Sequence, residues 1–492
     1  WRGNIIMMHD SGGDRSQTVK ILPELIDRMR AKGYTFVPVS ELANLTRDQA
    51  MPQIEPSFWL SVDRFVFVAI SHLGAILYYC FLAAIFLGIG RLLFLAGLSF
   101  ANRRRAKADE AAPPKEARIP VSVIIPAYNE EKLIAATVTR ILKSDYDNLE
   151  VIVIDDGSQD NTAEVVRKAF GADPRVTFLS EENGGKAHAL NAGLARAHGE
   201  VVVALDADTV FQRDTISRLT RWFSDPDMGA VAGNAKVGNR INMITRWQAL
   251  EYIVAQNLER RALAALDCIT VVPGAVGAWR RAAIEKLGGF PANTLAEDQD
   301  LTIAMQRAGY KVHFDASAVA WTEAPATVRG LARQRFRWAF GTLQCLWKYR
   351  AMTFNPRYRF LGLVALPQVW LFKIFLTAFA PVADLLLVWQ LFTQWVAYMQ
   401  HGAEFTNGSL YKVALYYVVF TVVDLAGAMI GFLMEKREKW SLLWWLMLQR
   451  FGYRQIMYYV VVRSIGAAMR GRLVGWGKLE RTGTVAAQAG ND

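Results

Sequence analysis

The sequence has little cysteine and no repetitive segment. Its three cysteines, Cys80, Cys268 and Cys345, lie far apart and without a paired spacing, which argues against a disulfide framework and against a zinc site. The chain begins at Trp1 and lacks a charged-then-apolar signal segment. We therefore expect a fragment of a longer protein, whose main domain works in a reducing compartment.

Apolar residues are abundant, and basic residues exceed acidic ones. Hydrophobic residues make up 52% of the 492 residues and the formal net charge is +11, so contact with lipid is expected. The positive charge suits nucleic acid, an anionic membrane surface or a phosphate-bearing substrate, and does not distinguish among them.

A long apolar segment precedes a basic cluster. Residues 65–98 are sufficient to cross a hydrocarbon core of about 30 Å at about 1.5 Å per residue. The basic cluster at residues 103–107 follows, and basic residues accumulate on the cytoplasmic side of spanning helices. We predict a transmembrane helix over 62–98, with the preceding residues outside and the following domain inside a bacterial-type plasma membrane. A buried helix of a soluble core is the alternative, and the length disfavours it.

Four short, β-branched apolar runs follow a proline-containing linker at residues 99–119. Helical segments separate the runs, and this alternation predicts parallel strands joined by right-handed crossovers. The predicted strands cover residues 121–125, 151–154, 176–179 and 201–205. Ligands of such sheets bind beyond the carboxyl ends of the strands. The fold class is therefore α/β, with its site at one edge of the sheet.

The composition turns apolar again after residue 350. Three apolar segments predict interfacial and transmembrane helices within 351–470, followed by a tail at 471–492. They cover residues 360–399, 411–434 and 440–469. The first is too long for one upright span, so we expect Pro367 or Pro381 to separate an interfacial helix from a spanning one.

Two carboxylates follow the fourth predicted strand. Asp206 and Asp208 are separated by one residue, and such a pair holds a hard cation, Mg²⁺ or Mn²⁺, with positions left for phosphate oxygens. A diphosphate leaving group is the natural partner. By itself the Asp-Ala-Asp sequence is more often a solvated turn, so the neighbouring loops decide between the two interpretations.

Further polar residues are expected at the same edge. Tyr128 and Glu130 follow the first strand, Asp156 ends the second, and Lys186 follows two glycines at a predicted helix start. An aromatic ring stacks on a base, a carboxylate accepts from an imide nitrogen, and a helix N-terminus with a lysine suits phosphate. For Lys186 alone, an ordinary helix start is the commoner explanation.

Two segments later in the chain contain further candidate site residues. The acidic residues at 297–300 open a predicted helix, where Asp298 could act as a base toward an acceptor hydroxyl, or the acids could only favour the helix dipole. Gln334, Arg337 and Trp338 lie in a basic aromatic helix. By itself such a helix is most often found at a membrane surface.

In this order and spacing, the elements resemble the processive family 2 glycosyltransferases, which include the synthases of chitin, hyaluronan, cellulose and poly-N-acetylglucosamine. The resemblance implies a GT-A domain at residues 120–350 with a mostly parallel sheet. It assigns nucleotide-sugar contacts to Tyr128, Glu130, Asp156, Lys186, Asp206, Gln334 and Arg337. It implies that Asp208 binds the metal, that Asp298 is the catalytic base, and that Trp338 and Gly274 contact the acceptor.

The resemblance further implies an inverting, processive transferase. Its cofactor would be Mg²⁺ or Mn²⁺, and its sugar donor would be a UDP-sugar, for which the resemblance indicates UDP-N-acetylglucosamine. Its other partners would be a growing polysaccharide and the lipid bilayer, with no nucleic acid. The usual Thr-Glu-Asp is here Ala296-Glu297-Asp298, so the base is retained and a hydroxyl is lost. Two alternatives stay open: a non-processive transferase acting on a lipid phosphate, and a catalytically silent nucleotide-binding membrane protein.

Residues 1–50 have a second resemblance, to a polysaccharide deacetylase. Residues 5–10, 18–30 and 33–37 are similar to the closing strand, helix and strand of that fold, and His9 matches its catalytic acid. The metal-binding histidines and the base of that family are absent, so we expect no deacetylase activity from this segment. Because such deacetylases commonly act on N-acetylglucosamine polymers, the resemblance favours that sugar.

Overall fold

The computed structural model describes residues 5, 6, 8, 16–52, 57–101, 119–402, 407–435 and 438–471. It divides into two compact units, Trp1–Cys80 and Phe81–Asp492. His9, the basic cluster at 103–107, most of the predicted linker and the tail from residue 472 lie outside the described residues.

The first unit is helical wherever it has regular structure among its described residues. Its helices are Ser16–Ala31, Val39–Leu42, Arg47–Ala50 and the beginning of Phe58–Ala101. The helix predicted at 18–30 is confirmed, but the strands expected on either side of it are wrong at the described positions. Ile5 and Phe36 are 67% and 54% exposed. An apolar segment without a neighbouring strand lacks hydrogen-bond partners and a surface to pack on.

The second unit is built on one eight-stranded sheet with the order β3-β2-β1-β4-β7-β6-β8-β5. The strands are β1 Val121–Ala127, β2 Leu149–Asp156, β3 Val176–Glu181, β4 Val201–Ala204, β5 Thr209–Phe211, β6 Met228–Val237, β7 Gly277–Arg280 and β8 Lys311–Thr322. The parallel pairing predicted for β1 to β4 is confirmed. Strand β7 runs antiparallel to β4 and β6, and β5 runs antiparallel to β8. The sheet is therefore mixed.

Alternate side chains of the strands enter two cores, one on each face of the sheet. In β1, Val121, Val123 and Ile125 belong to one core and Ile124 to the other. Because both faces are covered, these strands are continuously apolar in sequence. The helices around the sheet are Ile134–Leu142, Thr162–Phe170, Lys186–Leu194, Thr215–Thr220, Met243–Glu251, Leu258–Ala264, Arg281–Lys286, Glu297–Arg307 and Val328–Lys348.

Three of these elements surround the candidate site and are named here. The bridging helix, Met243–Ala264, consists of two α-helical parts joined by a π-helical segment, Tyr252–Asn257. The acidic helix is Glu297–Arg307, and the Arg-Trp helix is Val328–Lys348. Both were predicted from their sequences, whereas the π-helical segment was not.

Within the described ranges, two helices are long and apolar enough to cross a membrane by length and composition, Tyr79–Ala101 and Leu361–Gln400. The first lies in a single helix, Phe58–Ala101, as predicted for 62–98. The later apolar segments form the helices Asn407–Met434, Trp444–Gln449 and Tyr453–Met469.

The expected break at Pro367 or Pro381 is not observed. Pro381 lies inside the helix Leu376–His401. Pro367 lies between two π-helical segments, Leu361–Ala365 and Val369–Phe375. The helical run Leu361–Gln400 therefore continues through both prolines.

Candidate active site

The loops that follow β1 and β2 are joined by short hydrogen bonds. The backbone N–H of Asn129 donates to Ser158 Oγ at 2.8 Å, and that of Glu130 donates to Thr162 Oγ1 at 2.7 Å. Asn129 adopts φ +54°, a left-handed conformation that asparagine tolerates. These bonds place Tyr128 and Glu130 beside the end of β2, at the edge where the sequence predicts them.

The carboxylate of Asp156 holds the glycine loop that precedes Lys186. Asp156 Oδ1 accepts from the N–H of Gly184 at 2.9 Å, and Oδ2 accepts from the N–H of Gly185 at 3.0 Å. Gly185 has φ +87°, a conformation that strongly favours glycine. Asp156 thereby fixes the start of the helix Lys186–Leu194, and with it the position of the lysine.

Lys186 lies between carboxylates from two other segments. Its Nζ is 2.7 Å from Asp206 Oδ1, after β4, and 3.1 Å from Glu297 Oε1 of the acidic helix. Burial lowers the pKa of the Lys186 ammonium group, but Asp206, Glu297 and Asp298 outweigh this effect and raise the pKa above its ordinary value. The lysine is therefore a permanent cation at the centre of an acidic cleft.

Asp298 is adjacent to this ion cluster. Its Oδ2 accepts from the N–H of Gly274 at 3.1 Å. Burial and the charge of Glu297 raise the pKa of Asp298 to about 6, against the opposing charge of Lys186. A Cβ on Gly274 would lie 2.6 Å from Lys186 Nζ, so a larger residue at this position would displace the lysine ammonium group. The arrangement leaves a carboxyl group that is ionised at neutral pH and protonated in mild acid.

Asp208 and Trp338 are both neighbours of Tyr252 in the bridging helix. Asp208 is buried after β4, within electrostatic range of Tyr252. The Tyr252 ring centroid lies 6.5 Å from that of Trp338. Arg260, in the second α-helical part of the bridging helix, is within electrostatic range of Asp298. Tyr252 thus lies near both Asp208 and Trp338, and Arg260 of the same helix lies near Asp298.

The Arg-Trp helix and the acidic helix are connected along their length. Thr342 donates its hydroxyl to Gln299 Oε1 at 2.8 Å, and the N–H of Leu295 donates to Gln344 Oε1 at 2.9 Å. Lys348 Nζ donates to Asp300 Oδ2 at 2.8 Å. These contacts place the helix that contains Trp338 against the start of the helix that contains Asp298.

Gln334 and Arg335 are buried within the Arg-Trp helix, whereas Trp338 is 37% exposed. Gln334 Oε1 has no hydrogen-bond partner among the described residues. Because a buried amide oxygen normally has a partner, this atom has an unused hydrogen-bonding capacity.

The donor set after β4 fits a divalent cation that shares its ligands with a substrate. In the parts of the chain that the structure describes, no group of three or more His, Cys, Asp and Glu could hold a metal ion. Asp206 and Asp208 offer two carboxylates, and Mg²⁺ is commonly bound by one or two carboxylates together with phosphates and water. The residues present therefore suit a metal that arrives with a diphosphate.

Comparison with known proteins identifies the domain that surrounds this cleft. Residues 117–341 match the family described as "Glycosyltransferase like family 2". They form a glycosyltransferase family 2 domain. Its fold is of the GT-A type, with a mixed, mostly parallel central sheet and flanking helices.

The glycosyltransferase domain is also similar to bacterial polysaccharide synthases. Poly-β-1,6-N-acetyl-D-glucosamine synthases of Staphylococcus aureus (strain COL) and Staphylococcus epidermidis are both 31% identical, over 222 and 223 residues respectively. The similarity covers 45% of this chain and 54% of each relative, so the chain spans about half the length of the curated relatives it matches.

Two solved structures align with the chain at low TM-scores. The mannosyltransferase PcManGT from Pyrobaculum calidifontis, in complex with GDP-Man and Mn²⁺, has a TM-score of 0.49 and 26% identity, over 72% of this chain and 99% of that chain. S. aureus TarS 1–349 in complex with UDP-GlcNAc has a TM-score of 0.32 and 20% identity, over 46% of this chain and 67% of that chain.

Several residues of the cleft have no counterpart among the sequence predictions. Glu297 pairs with Lys186, Tyr252 and Arg335 contact the Trp338 ring, and Glu251 pairs with Arg335. Glu297 could have been found from its position beside Asp298. Glu251 and Tyr252 lie in a helix without any motif, so only their three-dimensional contacts identify them.

Proposed function

We propose that this protein is a membrane-bound, inverting and processive glycosyltransferase that extends a polysaccharide with N-acetylglucosamine from UDP-N-acetylglucosamine. The observation that supports it most is the meeting of Lys186, Asp206, Glu297 and Asp298, from three distant segments, in one cleft. The similarity of the domain to poly-β-1,6-N-acetyl-D-glucosamine synthases supports the choice of sugar and of a polymeric product.

In the proposed reaction, Asp298 is the general base. It accepts the proton of the acceptor hydroxyl as that oxygen attacks the anomeric carbon, while the bond to the diphosphate breaks on the opposite side. A pKa of about 6 suits this role, because a base is most effective when its pKa lies near the working pH. Inversion of the anomeric centre follows from a single in-line displacement.

Cationic groups stabilise the diphosphate that departs. Lys186 is held at the cleft centre by Asp206 and Glu297, and Arg337 lies on the Arg-Trp helix. Fixed charges placed where negative charge develops lower the barrier without reorganisation. Asp206 and Asp208 would hold Mg²⁺ or Mn²⁺, which when bound neutralises part of the diphosphate charge.

The remaining residues are assigned to the nucleoside and the acceptor. Tyr128 and Glu130, at the end of β1, are assigned to the uracil and ribose, and Asp156 acts through the glycine loop that it holds. Gln334, with its unpaired buried oxygen, is assigned to the donor sugar diphosphate. Trp338 and Gly274 are assigned to the acceptor sugar, which stacks on the exposed indole ring.

The apolar helices support the proposed association with a membrane. Tyr79–Ala101 and Leu361–Gln400 are long enough to span a bilayer, and the basic cluster at 103–107 favours a cytoplasmic domain. We propose a multi-pass protein of a bacterial plasma membrane, with residues 1–50 outside. Of the three deacetylase-like elements expected in residues 1–50, the structure contains the helix Ser16–Ala31.

The proposed function is tested with purified protein in lipid nanodiscs, labelled UDP-N-acetylglucosamine and Mg²⁺ or Mn²⁺. We expect products of many sugars, made from few initiated chains. A single sugar added to a lipid phosphate would favour a non-processive transferase. Binding of UDP without any transfer would favour a catalytically silent nucleotide-binding protein.

A further inference from the structure

One face of the Trp338 ring is covered by an arginine. Arg335 and Trp338 are three residues apart on the Arg-Trp helix, a spacing that makes side chains neighbours. The Arg335 guanidinium carbon lies over the ring, 4.0 Å from its centroid. A planar guanidinium at this distance stacks on an aromatic face and excludes other groups from it. A sugar can therefore stack only on the opposite face of the indole.

The arginine is itself held by two residues from other helices. Arg335 Nη2 is 2.7 Å from Glu251 Oε2 of the bridging helix and 3.3 Å from the hydroxyl of Tyr453. The Tyr453 hydroxyl also bonds to Glu251. The Arg335 side chain is only 4% exposed. Its position is thus determined by three elements at once, the Arg-Trp helix, the bridging helix and the helix Tyr453–Met469.

The hydrogen bonds of Arg335 do not use its whole guanidinium group. Nε and Nη1 are buried without a hydrogen-bond partner among the described residues. A buried cation with two unpaired nitrogens would be costly if its only purpose were to connect helices. The aromatic face beneath it provides the compensating interaction. Arg335 therefore has two roles, to connect the helices and to contact the Trp338 ring.

Tyr252 supports the same ring from a second direction. Its centroid is 6.5 Å from that of Trp338, with an angle of 47° between the planes. This separation leaves no room for a sugar between the two rings. Tyr252 belongs to the π-helical segment of the bridging helix, directly after Glu251, so one short segment contributes both the anchor of Arg335 and a wall beside Trp338.

We propose that Arg335 is a positioning residue for processivity. Held by Glu251 and Tyr453, it keeps the Trp338 ring in one orientation and leaves one face for the terminal sugar of the growing chain. The chain then stays bound while the donor product leaves and a new donor enters. This inference rests on the proposed function and assigns to it a residue outside the reacting groups.

The test uses the full chain in lipid nanodiscs with an N-acetylglucosamine hexasaccharide as acceptor. Arg335→Lys keeps the charge but removes the planar group, and we expect products about three- to tenfold shorter, because an ammonium group does not stack flat on the ring as a guanidinium does. At saturating hexasaccharide, the rate of the first addition and the KM for UDP-N-acetylglucosamine should stay within about twofold of wild type, since Arg335 touches no reacting atom.

A second variant separates positioning from folding. Removing one partner of a buried ion pair destabilises a protein, whereas replacing both is often tolerated. We therefore expect Arg335→Met combined with Glu251→Gln to unfold at a temperature close to that of wild type and still to make short products. Arg333→Lys, at an exposed position of the same helix, is the matched control and should make products of wild-type length.

A binding measurement tests the role of Arg335 without depending on sugar transfer. Isothermal titration should show the hexasaccharide binding about three- to tenfold more weakly to Arg335→Lys, with UDP binding unchanged. Wild-type product length or hexasaccharide affinity in Arg335→Lys would overturn the inference, as would an equal loss in first addition and elongation. A weaker hexasaccharide affinity in a protein that transfers no sugar would support the positioning role and refute the proposed function.

Discussion

The proposed donor side of the cleft, formed by the segments after β1, β2 and β4, differs from the proposed acceptor side, formed by the bridging helix and the Arg-Trp helix, in what positions the side chains. On the donor side, polar residues follow the ends of β1, β2 and β4, and backbone hydrogen bonds such as those from Gly184 and Gly185 to Asp156 fix the loops. On the acceptor side, ion pairs join segments far apart in sequence. Glu251 and Arg335 are 84 residues apart, and Asp300 and Lys348 are 48 apart.

This difference indicates how each side responds to substitution. A loop fixed by the sheet keeps its shape when one functional side chain is removed, so the loss is confined to the chemistry that side chain performs. A helix fixed by buried ion pairs changes in stability and position together, because removing one partner leaves an unpaired charge. Substitutions at the two sides should therefore give different combinations of activity and stability.

The largest effect is expected at Asp298, which lies where the two sides meet. Asp298→Asn keeps the size of the side chain and its acceptor for the Gly274 N–H, but removes the base. We expect sugar transfer to fall about 10²- to 10⁴-fold, with UDP affinity within a few-fold of wild type. Radiolabel incorporation and UDP titration measure the two quantities. Transfer within threefold of wild type would remove Asp298 from the base role.

A smaller loss is expected when the central cation is removed. Lys186→Met deprives Asp206 and Glu297 of their shared partner and the diphosphate of a charge-assisted hydrogen bond. We expect UDP to bind about 10- to 100-fold more weakly, because hydrogen bonds to charged groups contribute about 1.5–3 kcal/mol. Titration calorimetry checks this, with Lys168→Met, on an exposed helix face, as the control. Unchanged UDP affinity would show that Lys186 only pairs with Asp206 and Glu297 and does not bind the diphosphate.

The pH dependence tests the environment of the base. Because burial and Glu297 raise the pKa of Asp298 to about 6, the carboxyl group is ionised above that pH and protonated below it. A base must be ionised to accept a proton, so transfer should fall about tenfold per pH unit below about pH 6. Initial rates between pH 5 and 8 at saturating donor measure this. A rate that stays constant down to pH 5 would contradict the assignment.

The smallest effect is expected on the acceptor side, at the closest approach of two helices. A Cβ on Gly341 of the Arg-Trp helix would lie 2.7 Å from Ala296 Cβ and 2.8 Å from Ala296 N. Gly341→Ala should destabilise the protein by about 1–3 kcal/mol and reduce transfer through displacement of Asp298. Thermal unfolding and initial rates report both effects.

A second glycine supplies the control for this substitution. A Cβ on Gly466, in the helix Tyr453–Met469, would meet nothing within 4 Å. Gly466→Ala should leave both stability and transfer close to wild type or raise stability slightly. Equal behaviour of the two variants would mean that the contact between Gly341 and Ala296 does not set the position of the acidic helix.

Strands β1 to β4 were predictable because the signal of a buried strand is local in sequence. Strands β1 to β4 are continuous apolar runs, and Asp206 and Asp208 follow one of them directly. Strand β7 was not predicted, since its four residues, Gly277–Arg280, have no strand pattern and are defined only by pairing with β4 and β6. The strands expected near Ile5 and Phe36 were wrong because an apolar alternation needs a partner strand.

On the proposed acceptor side, the sequence motif indicated Trp338 but not the residues that hold it in place. Trp338 was found from its sequence neighbours, but the pair of Glu251 and Arg335 depends on a long-range contact. Tyr252 was missed because a π-helical turn places it toward the cleft, and a regular 3.6-residue periodicity does not describe that turn.

The central claim is that one cleft transfers sugar repeatedly from a nucleotide to a retained acceptor. Mass spectrometry of products made by the full chain from labelled UDP-N-acetylglucosamine and a tenfold excess of hexasaccharide tests it most directly. The account predicts long chains together with unused hexasaccharide, and their absence in Asp298→Asn. Hexasaccharide extended uniformly by one sugar, or long chains made by Asp298→Asn, would contradict it.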